Sequence, residues 1–296
     1  MAPDRIEIMI PRITHAFLSG LLFCCLFIIP AHAEEAPVAF PNETIDQWQG
    51  HQRHVFAVSG KNAWVVVPEK PATGRPWTWV MEFPTAFLPR TGVPQLLKDH
   101  GISHAHLSDF NRLGCEEQLK LMDEFYEMMI RQGFAKKTVL IGLSRGGFMA
   151  YRWAARHPDR VDGIYGDAPV CDLKSWPGGL GKGKGSKADW EHAKKLYGWH
   201  TDEDAKAFRG NAVDDELLEI LATHKIPLYH VVGDTDDVVP VAENTAIVEK
   251  KYQALGGTIT VVHHAAGHHP HGLDDPTSTV AFITGVLLKN KTTPRP

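Results

Sequence analysis

From residue 54 onward, short apolar runs alternate with stretches in which apolar residues recur every three or four positions. Two runs, at 54–59 and 62–68, flank Gly60-Lys61 and predict a β-hairpin. The apolar runs predict further strands at 77–83, 102–109, 138–144, 161–169, 226–233 and 258–264. The three- and four-residue spacing predicts helices at 93–101, 116–133, 146–158, 241–255 and 277–289.

This alternation of strands and helices predicts the fold class. Continuous apolar strands separated by helices are typical of a mostly parallel, doubly wound α/β sheet with helices on both faces. Residues 171–215 interrupt the rhythm with a glycine- and lysine-rich stretch and two short polar helices, at 188–199 and 201–208. We therefore predict a lid-like insertion over one edge of the sheet.

The N-terminus has a pattern of its own. Arg5 and Arg12 precede an apolar run at 16–30, and Ala-His-Ala follows at 31–33. This order is typical of a secretory signal peptide, and the run is too short to span a membrane comfortably. We expect a signal at 1–33, a single domain at 34–296, periplasmic or secreted localisation, and no stable membrane insertion after cleavage. A retained N-terminal anchor is the alternative.

Composition narrows the class of protein further. The 296 residues are 43% hydrophobic and 22% charged, and the net charge is -4. These values are ordinary for a globular enzyme, and the absence of a long basic run argues against a nucleic-acid partner. The sequence does not indicate an oligomeric state.

Two cysteines remain after the predicted signal. Cys115 and Cys171 each follow a predicted strand, so both are expected at the same edge of the sheet. In an oxidising compartment they can form a disulfide. Two free, partly buried thiols are the alternative.

Ser144 lies at a sharp corner between a predicted strand and a predicted helix. The sequence Gly142-Leu143-Ser144-Arg145-Gly146 matches the pattern G-x-S-x-G. At such a corner the pattern indicates a nucleophilic serine, because the tight turn presents Oγ clear of the sheet and the glycines prevent collisions. A serine that only caps the helix would not need glycines on both sides.

A serine hydroxyl needs a base and an orienting acid to become a nucleophile. In this fold, the acid and then the histidine are expected in loops that follow later strands. The candidate acids are Asp234, Asp236 and Asp237, and the candidate bases are His263, His264, His268, His269 and His271. Several imidazoles so close together can also bind Zn²⁺, but no cysteine or carboxylate cluster with ligand spacing accompanies them, so we expect neither metal nor cofactor.

The loop containing Gly233, Asp236, Val239 and Pro240 reads G-x-x-D-x-x-V-P. It resembles the acid loop of the α/β-hydrolase superfamily, especially prolyl-oligopeptidase-type and dienelactone-hydrolase-like secreted esterases. The resemblance implies the α/β-hydrolase fold and Asp236 as the acid, with Asp234 as the main rival.

The same families place the catalytic histidine directly after a glycine. This position corresponds to His268, which follows Gly267, whereas His269 and His271 are alternatives. An oxyanion hole would take one N–H from Arg145 and a second from Thr85 or Ala86 in the loop after strand 77–83.

Two further similarities bear on the substrate. Glucuronoyl esterases are similar in placing an arginine directly after the nucleophile, although a helix-surface arginine in a salt bridge is the default interpretation of Arg145. Residues 167–179 and 267–277 resemble stretches of bacterial secreted hydrolases associated with carbohydrate esters. This resemblance implies that Asp172 and Trp176 lie near the substrate.

The leading hypothesis is an exported serine hydrolase that cleaves a carboxylic ester through an acyl-enzyme. Its substrate would be a small-molecule or oligosaccharide ester. One alternative is a serine peptidase or amidase of the same fold, and another is a non-catalytic binding protein that retained the fold.

Overall fold

A computed structural model describes residues 36–288 of the chain. From Pro37 onward these residues belong to one compact unit. The predicted signal peptide, residues 1–33, lies outside the described residues. Within 36–288, none of the helices combines the length and the apolar character needed to cross a bilayer.

Nine strands of the described chain form one sheet. In chain order they are β1 (Thr44–Trp48), β2 (His51–Val58), β3 (Lys61–Val67), β4 (Trp77–Val80), β5 (Ser103–Leu107), β6 (Thr138–Leu143), β7 (Val161–Asp167), β8 (Leu228–Gly233) and β9 (Ile259–His264). Their order across the sheet is β1-β2-β3-β5-β4-β6-β7-β8-β9. Strands β1, β2 and β3 pair antiparallel, whereas all pairs from β5 to β9 are parallel. The prediction of a mostly parallel sheet is confirmed.

Helices cover both faces of this sheet. Those of the described chain are α1 (Leu88–Thr91), α2 (Val93–His100), α3 (Glu116–Arg131), α4 (Arg145–Arg156), α5 (Lys187–Tyr197), α6 (Asp202–Ala207), α7 (Asp215–Thr223), α8 (Thr245–Ala254) and α9 (Thr277–Leu288). On one face, α3, α4, α7 and α8 bury a core that includes Trp79 and Phe125. On the other, α2 and α9 pack against Ile141 and its neighbours. Because successive strand residues point to opposite faces, Leu140 and Ile141 belong to different cores.

Every predicted strand and helix is present, but some boundaries differ. Strand β4 ends at Val80, three residues earlier than predicted, and the predicted helix 241–255 is a 3₁₀ turn followed by α8. The turn and the helix are separated by Asn244, whose backbone is not helical (φ -126°, ψ -96°). Strand β1 was not predicted, because four of the five residues of this edge strand are exposed and form no apolar run. Helices α1 and α7 were also not predicted.

The insertion between β7 and β8 packs against α4 and against the loop that follows β8. Its residues Trp176 and Trp190 pack with Phe148 of α4 and with Val239, which follows β8. The glycine-rich stretch 178–186 is irregular, and it is tied to the loop after β8 because the Lys184 N–H donates to the Asp237 carbonyl at 3.0 Å. The predicted lid-like segment therefore lies at the edge of the sheet where the candidate site residues lie.

Both cysteines of the described chain are free, buried thiols. Cys115 immediately precedes α3, whereas Cys171 follows β7 and donates its N–H to Oδ1 of Asn244 at 2.9 Å. Burial raises the pKa of both thiols and keeps them protonated. The possible disulfide between them is therefore wrong, and the alternative of two free thiols is confirmed.

Candidate active site

Ser144 occupies a strained corner between β6 and α4. Its backbone has φ 50° and ψ -123°, a conformation that side-chain-bearing residues rarely adopt. A Cβ atom at Gly142 would lie 2.5 Å from the Cα of Gly147, and one at Gly146 would lie 3.2 Å from the Glu82 nitrogen. The corner is possible because these positions carry no side chain.

Backbone hydrogen bonds fix this corner to the neighbouring strand. The Ser144 N–H donates to the Asp167 carbonyl at 2.9 Å, and the Ser144 carbonyl accepts from Gly147 at 3.0 Å and from Val170 at 2.9 Å. The serine side chain is thereby held at the carboxyl end of β6, beside the end of β7.

Three side chains from distant loops form a hydrogen-bonded series. Ser144 Oγ lies 2.9 Å from Nε2 of His268, and Nδ1 of His268 lies 2.8 Å from Oδ2 of Asp236. The other Asp236 oxygen accepts the N–H groups of Val238 and Val239 at 2.9 and 2.8 Å. Because the carboxylate accepts the Nδ1–H, the Nε2 lone pair of His268 faces the serine hydroxyl.

The other two candidate acids contact other side chains. Asp234 lies 2.9 Å from Nδ1 of His263, at the exposed end of β9. Asp237 forms an ion pair with Lys184 at 2.6 Å, and the hydrogen bond to this lysine lowers the pKa of Asp237. Of the candidate acids, Asp236 is therefore the one that reaches the histidine bound to Ser144.

A second aspartate–histidine pair lies beside the first. Asp167, the last residue of β7, accepts Nδ1–H of His271 at 2.8 Å, the Gly272 N–H at 2.7 Å and the Tyr165 hydroxyl. The Arg90 guanidinium donates to the carbonyls of His271 and Gly272 at 2.8 and 3.0 Å. The segment that follows His268 is therefore held to both β7 and α1.

His268, His269 and His271 form a compact group, which we call the histidine cluster. Their nearest ligand atoms all lie within 4.8 Å of one another. The ring centroids are 4.8 to 5.1 Å apart, and Phe87 stacks on His269 at 5.7 Å. Burial, together with the neighbouring imidazoles of His271 and His268, lowers the pKa of His269.

The Arg145 side chain is buried beside the corner rather than exposed on the helix surface. Its Nε donates to the carboxylate of Glu82, a side chain that is only 1% exposed. Burial raises the pKa of Glu82, although the arginine opposes this effect. The guanidinium also lies 4.3 Å from the ring centroid of Phe110 and 5.2 Å from that of Phe83. Phe110 is 65% exposed, so this aromatic pair presents an apolar face to solvent.

The predicted oxyanion donors lie in two places. The Arg145 N–H is the first of α4, so no preceding turn supplies it with an intrahelical acceptor. The Ala86 N–H donates to the Phe83 carbonyl at 3.0 Å, and this donor is therefore already engaged. Thr85 is exposed in the same turn. The sequence did not predict the turn at Phe83, because the left-handed backbone of this residue (φ 56°) has no signal in the local sequence.

The two residues predicted near the substrate have other surroundings. Trp176 is buried against Val170 and Leu173, where it packs the insertion. Asp172 accepts the Lys174 N–H at 2.9 Å, and burial raises its pKa. It lines a cavity of about 350 Å³ together with residues such as Ser175 and Glu243, and none of the three residues of the hydrogen-bonded series lines that cavity.

Known proteins share this architecture. The sequence profile of the α/β hydrolase fold family matches residues 97–212. No curated protein sequence matches the chain significantly. The chain is similar in structure to a puromycin-hydrolyzing peptidase from Mycobacterium tuberculosis, with a TM-score of 0.60 and 14% identity over 84% of this chain. The match spans 41% of the peptidase, about two fifths of its length.

Smaller enzymes resemble the chain over more of their length. The 2,6-dihydroxy-pseudo-oxynicotine hydrolase has a TM-score of 0.59 and 19% identity, with 82% of this chain and 70% of that one covered. An S-formylglutathione hydrolase from Agrobacterium tumefaciens has a TM-score of 0.55 and 14% identity, with 82% and 95% covered. The chain therefore has the α/β-hydrolase fold that the sequence predicts.

Proposed function

We propose that this protein is an exported serine hydrolase that cleaves carboxylic esters through an acyl-enzyme. The observation that carries the proposal is the series of hydrogen bonds from Ser144 through His268 to Asp236, at 2.9 and 2.8 Å. A hydroxyl, an imidazole and a buried carboxylate in this order are the parts that nucleophilic catalysis by serine requires.

In the proposed reaction, Ser144 Oγ attacks the ester carbonyl while His268 Nε2 takes the hydroxyl proton. Asp236 stabilises the imidazolium that forms. The tetrahedral intermediate then collapses, and the alcohol leaves with the proton from His268. Water attacks the acyl-enzyme in the second half, again giving its proton to His268, which returns it to Ser144 as the acid is released.

The negative oxygen of the intermediate needs two donors. We assign one to the Arg145 N–H and the other to the loop 83–85, which includes the predicted residue Thr85. The start of this loop lies close to the nucleophile corner, because the backbone nitrogen of Glu82 would be only 3.2 Å from a Cβ atom at Gly146. This proximity supports the assignment. One such donor contributes about 3 kcal/mol to transition-state stabilisation.

For the substrate we favour an ester that carries a ring, such as a carbohydrate-linked or aromatic acyl ester. The support is the apolar face of Phe110, which lies against the Arg145 guanidinium beside the nucleophile. An exposed aromatic face suits stacking on a sugar or aromatic ring. Because Trp176 is buried in the insertion, we assign this stacking role to Phe110 instead.

The test is the Ser144→Ala variant with p-nitrophenyl acetate as substrate. We expect turnover to fall by at least about 10³-fold without loss of fold. Ser278→Ala is the matched control, because Ser278 lies on α9, where its hydroxyl is bonded to the Tyr229 hydroxyl at 2.8 Å. A fluorophosphonate should label the wild-type chain at Ser144, and labelling of another residue would reject the assignment.

The same assay separates the alternatives. A panel of acetylated sugars, feruloyl esters, methyl uronates and peptide p-nitroanilides compares ester with amide cleavage. A higher kcat/KM for the anilides would make the protein an amidase. Neither turnover nor fluorophosphonate labelling would be expected of a non-catalytic binding protein.

Export is proposed from residues 1–33 alone. We expect the protein recovered from a periplasmic or culture fraction to begin near Glu34, as measured by intact mass. Recovery of the full-length chain from the cytoplasm alone would contradict this.

A further inference from the structure

We propose that the histidine cluster is a binding site for Zn²⁺, in which His268, His269 and His271 supply the ligands. The ion would occupy Nε2 of His268, the atom that otherwise faces Ser144. Metal binding and the serine hydrogen bond would then exclude each other.

Two of the three imidazoles are already oriented as metal ligands. Nδ1 of His268 lies 2.8 Å from Asp236, and Nδ1 of His271 lies 2.8 Å from Asp167. A carboxylate that accepts Nδ1–H fixes the ring and leaves a lone pair on Nε2, which is the arrangement found behind zinc-binding histidines. The two buried carboxylates also place negative charge behind the ligands of a dication.

The third imidazole can move to complete the site. The ligand atoms lie within 4.8 Å of one another, whereas nitrogens on a tetrahedral Zn²⁺ are about 3.3 Å apart, given Zn–N bonds of about 2.0–2.1 Å. His269 is exposed, so a rotation of its side chain can bring its nitrogen closer to those of His268 and His271 without disturbing the core. A water would take the fourth position of the ion, as in open zinc sites.

Occupancy of this site would block hydrolysis. A Zn²⁺ ion on Nε2 of His268 removes the lone pair that accepts the Ser144 proton, so inhibition is expected and chelation should reverse it. This consequence rests on the proposed hydrolase function, whereas the binding of the ion does not.

The experiment is a calorimetric titration of metal-free mature protein with Zn²⁺, alongside p-nitrophenyl acetate turnover. We expect one ion per chain, and at saturation at least a tenfold inhibition that EDTA reverses. The Kd should rise at least about tenfold in His269→Ala, with inhibition expressed relative to the basal rate of each variant. His263→Ala is the matched control, because His263 is an exposed histidine that pairs with Asp234 outside the cluster.

The Ser144→Ala variant gives a readout without activity. We expect it to bind Zn²⁺ at least as tightly as the wild type, because the hydroxyl no longer competes for Nε2. No binding in the titration would overturn the proposal, as would an unchanged Kd in His269→Ala. One bound ion that depends on His269, in a protein without esterase activity, would reject the proposed function and keep the site.

Discussion

Two aspartate–histidine pairs lie side by side at the carboxyl edge of the sheet, and they differ in the groups that surround them. In the pair Asp236–His268, Nε2 faces the Ser144 hydroxyl at 2.9 Å. In the pair Asp167–His271, the carboxylate also binds the Gly272 N–H and the Tyr165 hydroxyl, and the imidazole is 3% exposed.

The difference shows that a buried carboxylate–imidazole pair does not by itself define a catalytic group. In both pairs the Nδ1–carboxylate distance is 2.8 Å. We assign a catalytic role to the pair that reaches a strained serine, and a positioning role to the pair that holds the loop after His268. Each of these two assignments can be tested by mutation.

The largest effect is expected from Asp236→Asn. An amide can present N–H to Nδ1 and favour the wrong tautomer, so kcat for p-nitrophenyl acetate should fall about 10⁴-fold. The melting temperature serves as a control for folding. Activity within tenfold of wild type would show that Asp236 is not the orienting acid.

Asp167→Asn should act mainly on stability. The change breaks a buried network of three donors, so we expect the free energy of unfolding to fall by about 2–3 kcal/mol, measured by urea denaturation. In the fraction that remains folded, kcat should change by less than tenfold. A loss as large as that of Asp236→Asn would erase the distinction between the two pairs.

Three buried histidines without a carboxylate partner extend the comparison of the two aspartate–histidine pairs. Burial lowers the pKa of His104 and His230 to about 3 and that of His106 to about 4. His104 is bonded to the Thr78 hydroxyl, and His230 to the hydroxyls of Tyr151 and Thr245.

Because these folded pKa values lie below the ordinary value, the unfolded chain binds more protons between pH 6.5 and about 4. Stability should therefore fall with falling pH, by up to about 1.4 kcal/mol per pH unit for each histidine. Urea titrations at pH 7, 6 and 5 measure the slope. His230→Gln should reduce it by one histidine's share, and an identical slope in the variant would contradict the assignment.

The smallest effect is expected at the exposed ring of Phe110, which lies against the Arg145 guanidinium. Phe110→Ala should raise KM for a feruloyl or sugar ester about 3- to 10-fold and leave kcat nearly unchanged, because one stacking contact is worth about 0.5–1.5 kcal/mol. Phe110→Tyr keeps the ring and should keep KM. A large loss of kcat in Phe110→Ala would instead point to an effect on the corner itself.

The sequence was informative where the signal is local. Apolar runs located the strands, and glycines around Ser144 located the corner, because close packing there excludes side chains. The loop pattern around Asp236 and Gly267 selected two side chains that the structure brings to Ser144.

Contacts between residues far apart in the sequence have no such local signal. Asp167 and His271 are 104 residues apart, and Glu82 lies 63 residues before Arg145. Buried contacts of this kind form only when the strands take a particular order across the sheet. The periodicity of apolar residues along the chain does not specify that order. The free state of Cys115 and Cys171 likewise depends on tertiary placement rather than on their position after strands.

The large sequence separation between Ser144 and His268 has a consequence for biosynthesis. Ser144 meets an imidazole 124 residues later, and Arg90 holds the carbonyl of a residue 181 positions downstream. A nascent polypeptide that still lacks its last strand and the loop after it would have the nucleophile without its base. Under the proposed function, ester turnover is therefore expected only after the segment from Ser144 to His268 has been synthesised and folded, and turnover would report the folding of that segment.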